Sequence, residues 1–144
     1  MYLKMQLSTI FALLVFQSCN DKGSDRKLGV TKSNYVAYKN RDTAKLFLEL
    51  RDQHFSGAME LTYKGISRDS GIVKGDVKGD TLFGDFHFQR NGFAEWKRIP
   101  IALLKTQDKL IMGQSAQVNS FGIQHLSYPI DFDEKERYVF SKIN

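Results

Sequence analysis

Asp85 and His87 stand two residues apart in the run Thr81-Leu-Phe-Gly-Asp-Phe-His-Phe-Gln89. In an extended strand that spacing puts both side chains on one face. A carboxylate beside an imidazole is an acid–base pair or half of a metal site. Either use needs a third group from elsewhere in the chain. The other histidines, His54 and His125, stand in no metal-ligand spacing with His87, and Cys19 is the only cysteine. The plainer reading of Asp85 and His87 is a polar strand face with a hydrogen-bonded histidine. Gly75-Asp76, Gly79-Asp80 and Gly84-Asp85 repeat a Gly-Asp pair. They lack the alternating ligands and closing glutamate of a calcium loop, and they suit turns instead. Gly71, Gly75 and Gly79 precede neither a helix start nor a Lys-Ser pair, so no phosphate loop is present. No G-x-S-x-G elbow occurs. Trp96, flanked by Glu95, Lys97 and Arg98, has the composition of an interface hot spot. As the only tryptophan of a small β-domain it is expected in the core. The chain is read as a non-enzyme without metal or cofactor, and Asp85, His87 and Trp96 are the candidate ligand or partner contacts.

The elements that position these residues are strands. From Thr43 the apolar period is two. Ala44, Leu46, Leu48 and Leu50 alternate with Lys45, Phe47, Glu49 and Arg51, then Phe55, Gly57, Met59, Leu61 and Tyr63 alternate with Ser56, Ala58, Glu60, Thr62 and Lys64. Arg68-Asp69-Ser70-Gly71 reads as a turn into Ile72–Val77. Lys78-Gly79-Asp80 reverses the chain into Thr81–Gln89, where Leu82, Gly84, Phe86 and Phe88 share one face. Arg90-Asn91-Gly92 turns into Phe93–Leu104, and Pro100 there predicts an edge, a break or a bulge that would let Trp96 and Ile99 face the core. Lys109–Gln114, a short strand near Phe121 and Ile123, and a closing strand over Arg137–Ile143 complete the set. Eight or nine strands joined by short turns, with no helix, predict an all-β antiparallel up-and-down meander. Such a meander closes into a small barrel or strongly curled sheet of about eight strands, which removes exposed edges. The architecture is similar to the lipocalin and streptavidin kind.

At the other end of the chain, Lys4 precedes an apolar run from Leu7 to Phe16, then Gln17-Ser18-Cys19. A charged start, a short apolar stretch and a small residue before the cleavage point are the marks of a secretory signal. The run is shorter than the roughly 20 residues that span a bilayer. Val15-Phe16-Gln17-Ser18-Cys19 resembles the bacterial lipobox, with Phe16 and Gln17 departing from its commonest form. Such looser boxes occur among Bacteroidota lipoproteins. The resemblance implies cleavage after residue 18 and three acyl chains on Cys19, an anchor that does not leave its membrane. Residues 1–18 are thus expected to be the signal, 19–40 the lipidated cysteine and a flexible tether, and 41–144 one β-domain. The expected location is the bacterial cell envelope, at the outer membrane.

Residues 20–40 hold five basic against two acidic side chains, and residues 41–144 hold 15 against 14. The basic pI of 9.3 therefore belongs mostly to the signal and tether. A nucleic-acid surface needs basic residues clustered on the folded body, and no nucleic-acid partner is expected. Gly57 to about Gly92, "GAMELTYKG" and "GIVKGDVKGDTLFGDFHF", is similar to small lipoproteins of the Bacteroidota, and that resemblance brings no assigned chemistry. The chain is read as a membrane-anchored binding module for an envelope protein or a small apolar ligand. The alternatives are an envelope enzyme using Asp85 and His87, or a structural lipoprotein of an envelope assembly.

Overall fold

Alternation of inward and outward side chains marks the long strands between residues 30 and 90. The computed structural model describes residues 29–143. The signal over residues 1–18, Cys19 and the spacer up to residue 28 lie outside the described residues. The strands are β1 Val30–Lys39, β2 Asp42–Arg51, β3 His54–Tyr63, β4 Ser67–Lys78, β5 Thr81–Arg90, β6 Trp96–Thr106, β7 Lys109–Met112, β8 Gln117–Ser120, β9 Ile123–Leu126 and β10 Val139–Ile143. Strands β1 to β7 follow one another around a closed antiparallel barrel, and β10 fits between β7 and β1 to complete eight. This is the expected up-and-down barrel. Strands β8 and β9 form a separate hairpin.

On β5, Leu82, Phe86 and Phe88 are buried while His87 is exposed, as the period of two requires. Leu46 and Leu48 of β2, Met59 and Leu61 of β3, Leu103 of β6, Leu110 of β7 and Phe140 of β10 meet them inside. Phe86 and Phe140 have no exposed surface, and the Phe86 and Phe88 rings stack with centroids 4.7 Å apart. Eight strands leave a bore just wide enough for side chains to fill, and these aromatic and branched residues fill it. The outer wall carries charge instead, including the Lys32–Glu49 and Arg98–Asp85 ion pairs at 2.7 Å. Apolar inside and charged outside is the reverse of a barrel whose outer band lies in lipid.

Closure needs one sharp curl. Gly75 and Gly84 face each other across the β4–β5 ladder, and the Phe55 ring lies over both. A Cβ at position 84 would sit 2.7 Å from Phe55 Cζ and 2.8 Å from the Lys74 carbonyl carbon. Only glycine lets the two strands and the ring approach this closely.

Three local readings are corrected. The spacer expected over residues 19–40 is shorter than that, because Val30–Lys39 is β1, paired along its whole length with β2. Its inward residues Ser33, Tyr35, Ala37 and Lys39 are small, polar or amphipathic, so the apolar alternation is faint in sequence. The expected turn at Arg68–Gly71 lies inside β4, and the reversal sits at Lys64-Gly65-Ile66, where Lys64 and Gly65 take positive φ. The bulge offered for Pro100 is absent, since β6 pairs with β5 unbroken from Trp96 to Leu104, whereas the edge offered beside it holds locally. The Ala102 carbonyl accepts from the Gly113 N–H on the β7 side, and Pro100, two residues away, points its nitrogen the same way. β6 pairs with β7 only from Leu103 to Thr106, so the donor that Pro100 lacks would face a ladder that is not there.

Candidate functional site

Asp85 and His87 share the outer face of β5, as their spacing requires, but they do not form a pair. The Asp85 carboxylate forms an ion pair with Arg98, Nη2 to Oδ1 at 2.7 Å, a diagonal cross-strand contact from β6. The His87 ring instead lies beside Trp96, with centroids 5.5 Å apart. Trp96 is 53 % exposed and sits on the outside of the barrel. The core placement expected for it is corrected by register: Trp96 pairs with Gln89, and the even-numbered positions of β6 face outward. Among the described residues no group of three or more His, Cys, Asp or Glu is placed to hold a metal ion.

What collects around Asp85 is a different set of residues. The chain leaves β7 at Gly113, makes the β8–β9 hairpin and returns at Asp131. Reciprocal backbone bonds between Gln114 and Asp131, 2.9 and 2.8 Å, clamp the base of this excursion. Arg137 donates to Asp131 at 2.6 Å, and together with the backbone N–H of Asp133, the larger cause, it holds the Asp131 carboxyl below the usual range. Glycine at 113 admits the Ile130 and Phe132 side chains, which would meet a Cβ there at 2.6 Å. The hairpin is thereby laid against the outer wall of β5 and β6. A pocket of about 260 Å³ remains between them, lined by Lys78, Phe83, Asp85, Arg98 and Pro100 on the wall and by Gln124, His125, Tyr128 and Ile130 above. Lys78 Nζ stands 6.0 Å from the Phe83 ring centroid. Sequence reasoning missed that Lys78, Arg98 and His125 line one pocket with Asp85, because the four residues come from four separate strands.

A larger groove, about 630 Å³, runs over the outside of β1 to β4. Its lining includes Val36, Tyr38, Lys45, Phe47, Ala58 and Ile143. Tyr38 is 73 % exposed. Register continues this surface across the barrel: Phe47 pairs with Ala58, Ala58 with Ile72, and Ile72 with His87. An outward row of mostly apolar side chains thus leads from the groove to His87 and Trp96.

At the barrel rim near Tyr38, Asp69 is buried and faces inward. Arg90 donates to both its oxygens and the Tyr63 hydroxyl donates at 3.0 Å. Those Arg90 hydrogen bonds hold the Asp69 carboxyl below the usual carboxylate range against the opposing effect of burial. Burial and the Asp69 charge push the Tyr63 phenol up. Tyr138, half-buried beside Asp42, is pushed up to about 12 by burial first and the carboxylate second. Asp69 and Arg90 satisfy each other, so this pair closes the rim. No known protein family, curated protein or solved structure matches this chain.

Proposed function

We propose that the chain is a lipid-anchored module of the bacterial cell envelope that docks a protein partner on the outer wall of its barrel. The observation that carries this reading is the packed interior. Phe86, Phe140, Leu46, Leu48 and Met59 occupy the space in which a carrier would hold an apolar ligand, so recognition falls to the outside. The groove over β1–β4 supports it, with exposed Tyr38, half-buried Phe47 and the row leading to Trp96. Aromatic residues of this kind anchor protein interfaces.

The anchor is Cys19, and β1 begins at Val30. The ten intervening residues reach at most about 35 Å, which keeps the domain close to the outer membrane. Val30 shares its rim with Arg51, His54 and Asp76. Tyr38 and the Asp69–Arg90 pair sit at the far rim, where a partner has access. The enzyme reading built on Asp85 and His87 has less support, because Arg98 already holds the Asp85 carboxylate.

Site-specific photocrosslinking in intact cells tests the proposal. A photoreactive residue at position 38 or 58 is expected to give one discrete adduct, to the same protein from both positions, and none from position 109 on the opposite wall. Adducts of equal yield from all three positions, or none from 38 and 58, would end it. Metabolic labelling with an alkyne fatty acid, lost in Cys19→Ser, tests the anchor separately.

A further inference from the structure

We infer that the pocket between the β8–β9 hairpin and the β5–β6 wall binds a small organic molecule bearing a compact oxyanion, a phosphate or a carboxylate. This site is distinct from the β1–β4 groove and does not depend on docking there.

The argument is a count of donors and acceptors. Asp85 is the only acidic side chain in the lining, which also holds Lys78 and Arg98 on the wall and His125, Gln124 and Tyr128 above. A guanidinium carries five N–H donors and an ammonium three. The Asp85 carboxylate lies 2.7 Å from Arg98 Nη2 as an ion pair, which leaves N–H donors of the guanidinium to a ligand. Lys78 Nζ stands 6.0 Å from the Phe83 ring centroid. Imidazole, amide and phenol groups add further donors to the roof. Donors exceed acceptors, and positive charge exceeds negative, in a solvent-open cleft that the hairpin borders on one side. Such a site favours a ligand that is all acceptor, and Arg recognises phosphate and carboxylate through paired N–H bonds.

Size and apolar lining define the rest of the ligand. About 260 Å³ is below the usual range of drug-sized pockets, so the molecule is small. Phe83, Pro100 and Ile130 offer an apolar floor and edge for a ring or short chain attached to the anion. The hairpin that roofs the site is built for this position: Gly113 lets Ile130 in, and the Gln114–Asp131 bridge holds the base.

Isothermal titration of the purified protein with phenyl phosphate, inorganic phosphate and phenol tests this. Saturable binding of phenyl phosphate is expected, weaker binding of inorganic phosphate, and none of phenol. Lys78→Gln and His125→Gln alter exposed side chains, so the barrel stays folded. The Lys78→Gln variant is expected to weaken phenyl phosphate binding by about tenfold or more. Lys142→Gln, which removes the same charge from another wall, is expected to leave it unchanged. Absence of saturable binding up to about 10 mM of either phosphate would overturn the inference. So would an equal loss in Lys78→Gln and Lys142→Gln, or equal binding of phenol.

Discussion

The Asp69 carboxylate and the Arg90 guanidinium meet fork to fork across the β4–β5 ladder, Nε to Oδ1 and Nη2 to Oδ2, both at 2.7 Å. Asp69 is 2 % exposed, and the Tyr63 hydroxyl supplies a third donor. A buried carboxylate with this many donors is stabilised in its charged form.

Because the folded carboxyl is held low, its contribution to stability is fully present above the unfolded value of about 3.9. That contribution is lost as pH falls through the lower folded value. Asp69→Asn should therefore cost about 1.5–3 kcal/mol at neutral pH. The gap from the parent should narrow as the pH is taken from about 5 to about 2. Urea midpoints across that range are the measurement. A gap that stays constant with pH would mean that the pair contributes nothing through its charge.

At the barrel curl, Gly84→Ala should destabilise by about 1–3 kcal/mol or more, since the added methyl meets the Phe55 ring and the β4 backbone. Thermal melts of the variant would show it. A melt unchanged from the parent would mean that β4 and β5 do not approach each other as closely as described.

Trp96→Ala should change stability by no more than about 0.5 kcal/mol, as for other surface substitutions. A core tryptophan would cost about 3–5 kcal/mol. Since Trp96 is the only tryptophan, its fluorescence gives a second reading. Emission should be red-shifted and readily quenched by acrylamide in the folded protein.

The sequence carried the barrel well and its site poorly. Strands β2, β3 and β5 follow the period of two closely, and Gly79, at positive φ between Lys78 and Thr81, makes the reversal read there. Strand β1 escaped because Ser33, Ala37 and Lys39 make a weak inward stripe. Asp69 reads as a turn residue because Arg, Asp, Ser and Gly in a row favour turns, and its charge partner lies 21 residues away. The Asp85–His87 spacing placed both side chains on one face, yet Asp85 turned to Arg98 on the neighbouring strand. His125 reached the same pocket through a hairpin over residues 117–126 whose exposed side chains show no apolar alternation. Local pattern specifies which face a side chain takes, while long-range contacts specify its partner.

The central claim is that the barrel is filled and recognition happens outside it. Native mass spectrometry of the protein, purified gently from the cells that make it, tests this most directly. The mass of the mature chain with its anchor, and no retained molecule that extracts into organic solvent, is the predicted result. A stoichiometric apolar molecule that survives purification and is released only on unfolding would contradict the claim and make the interior the site.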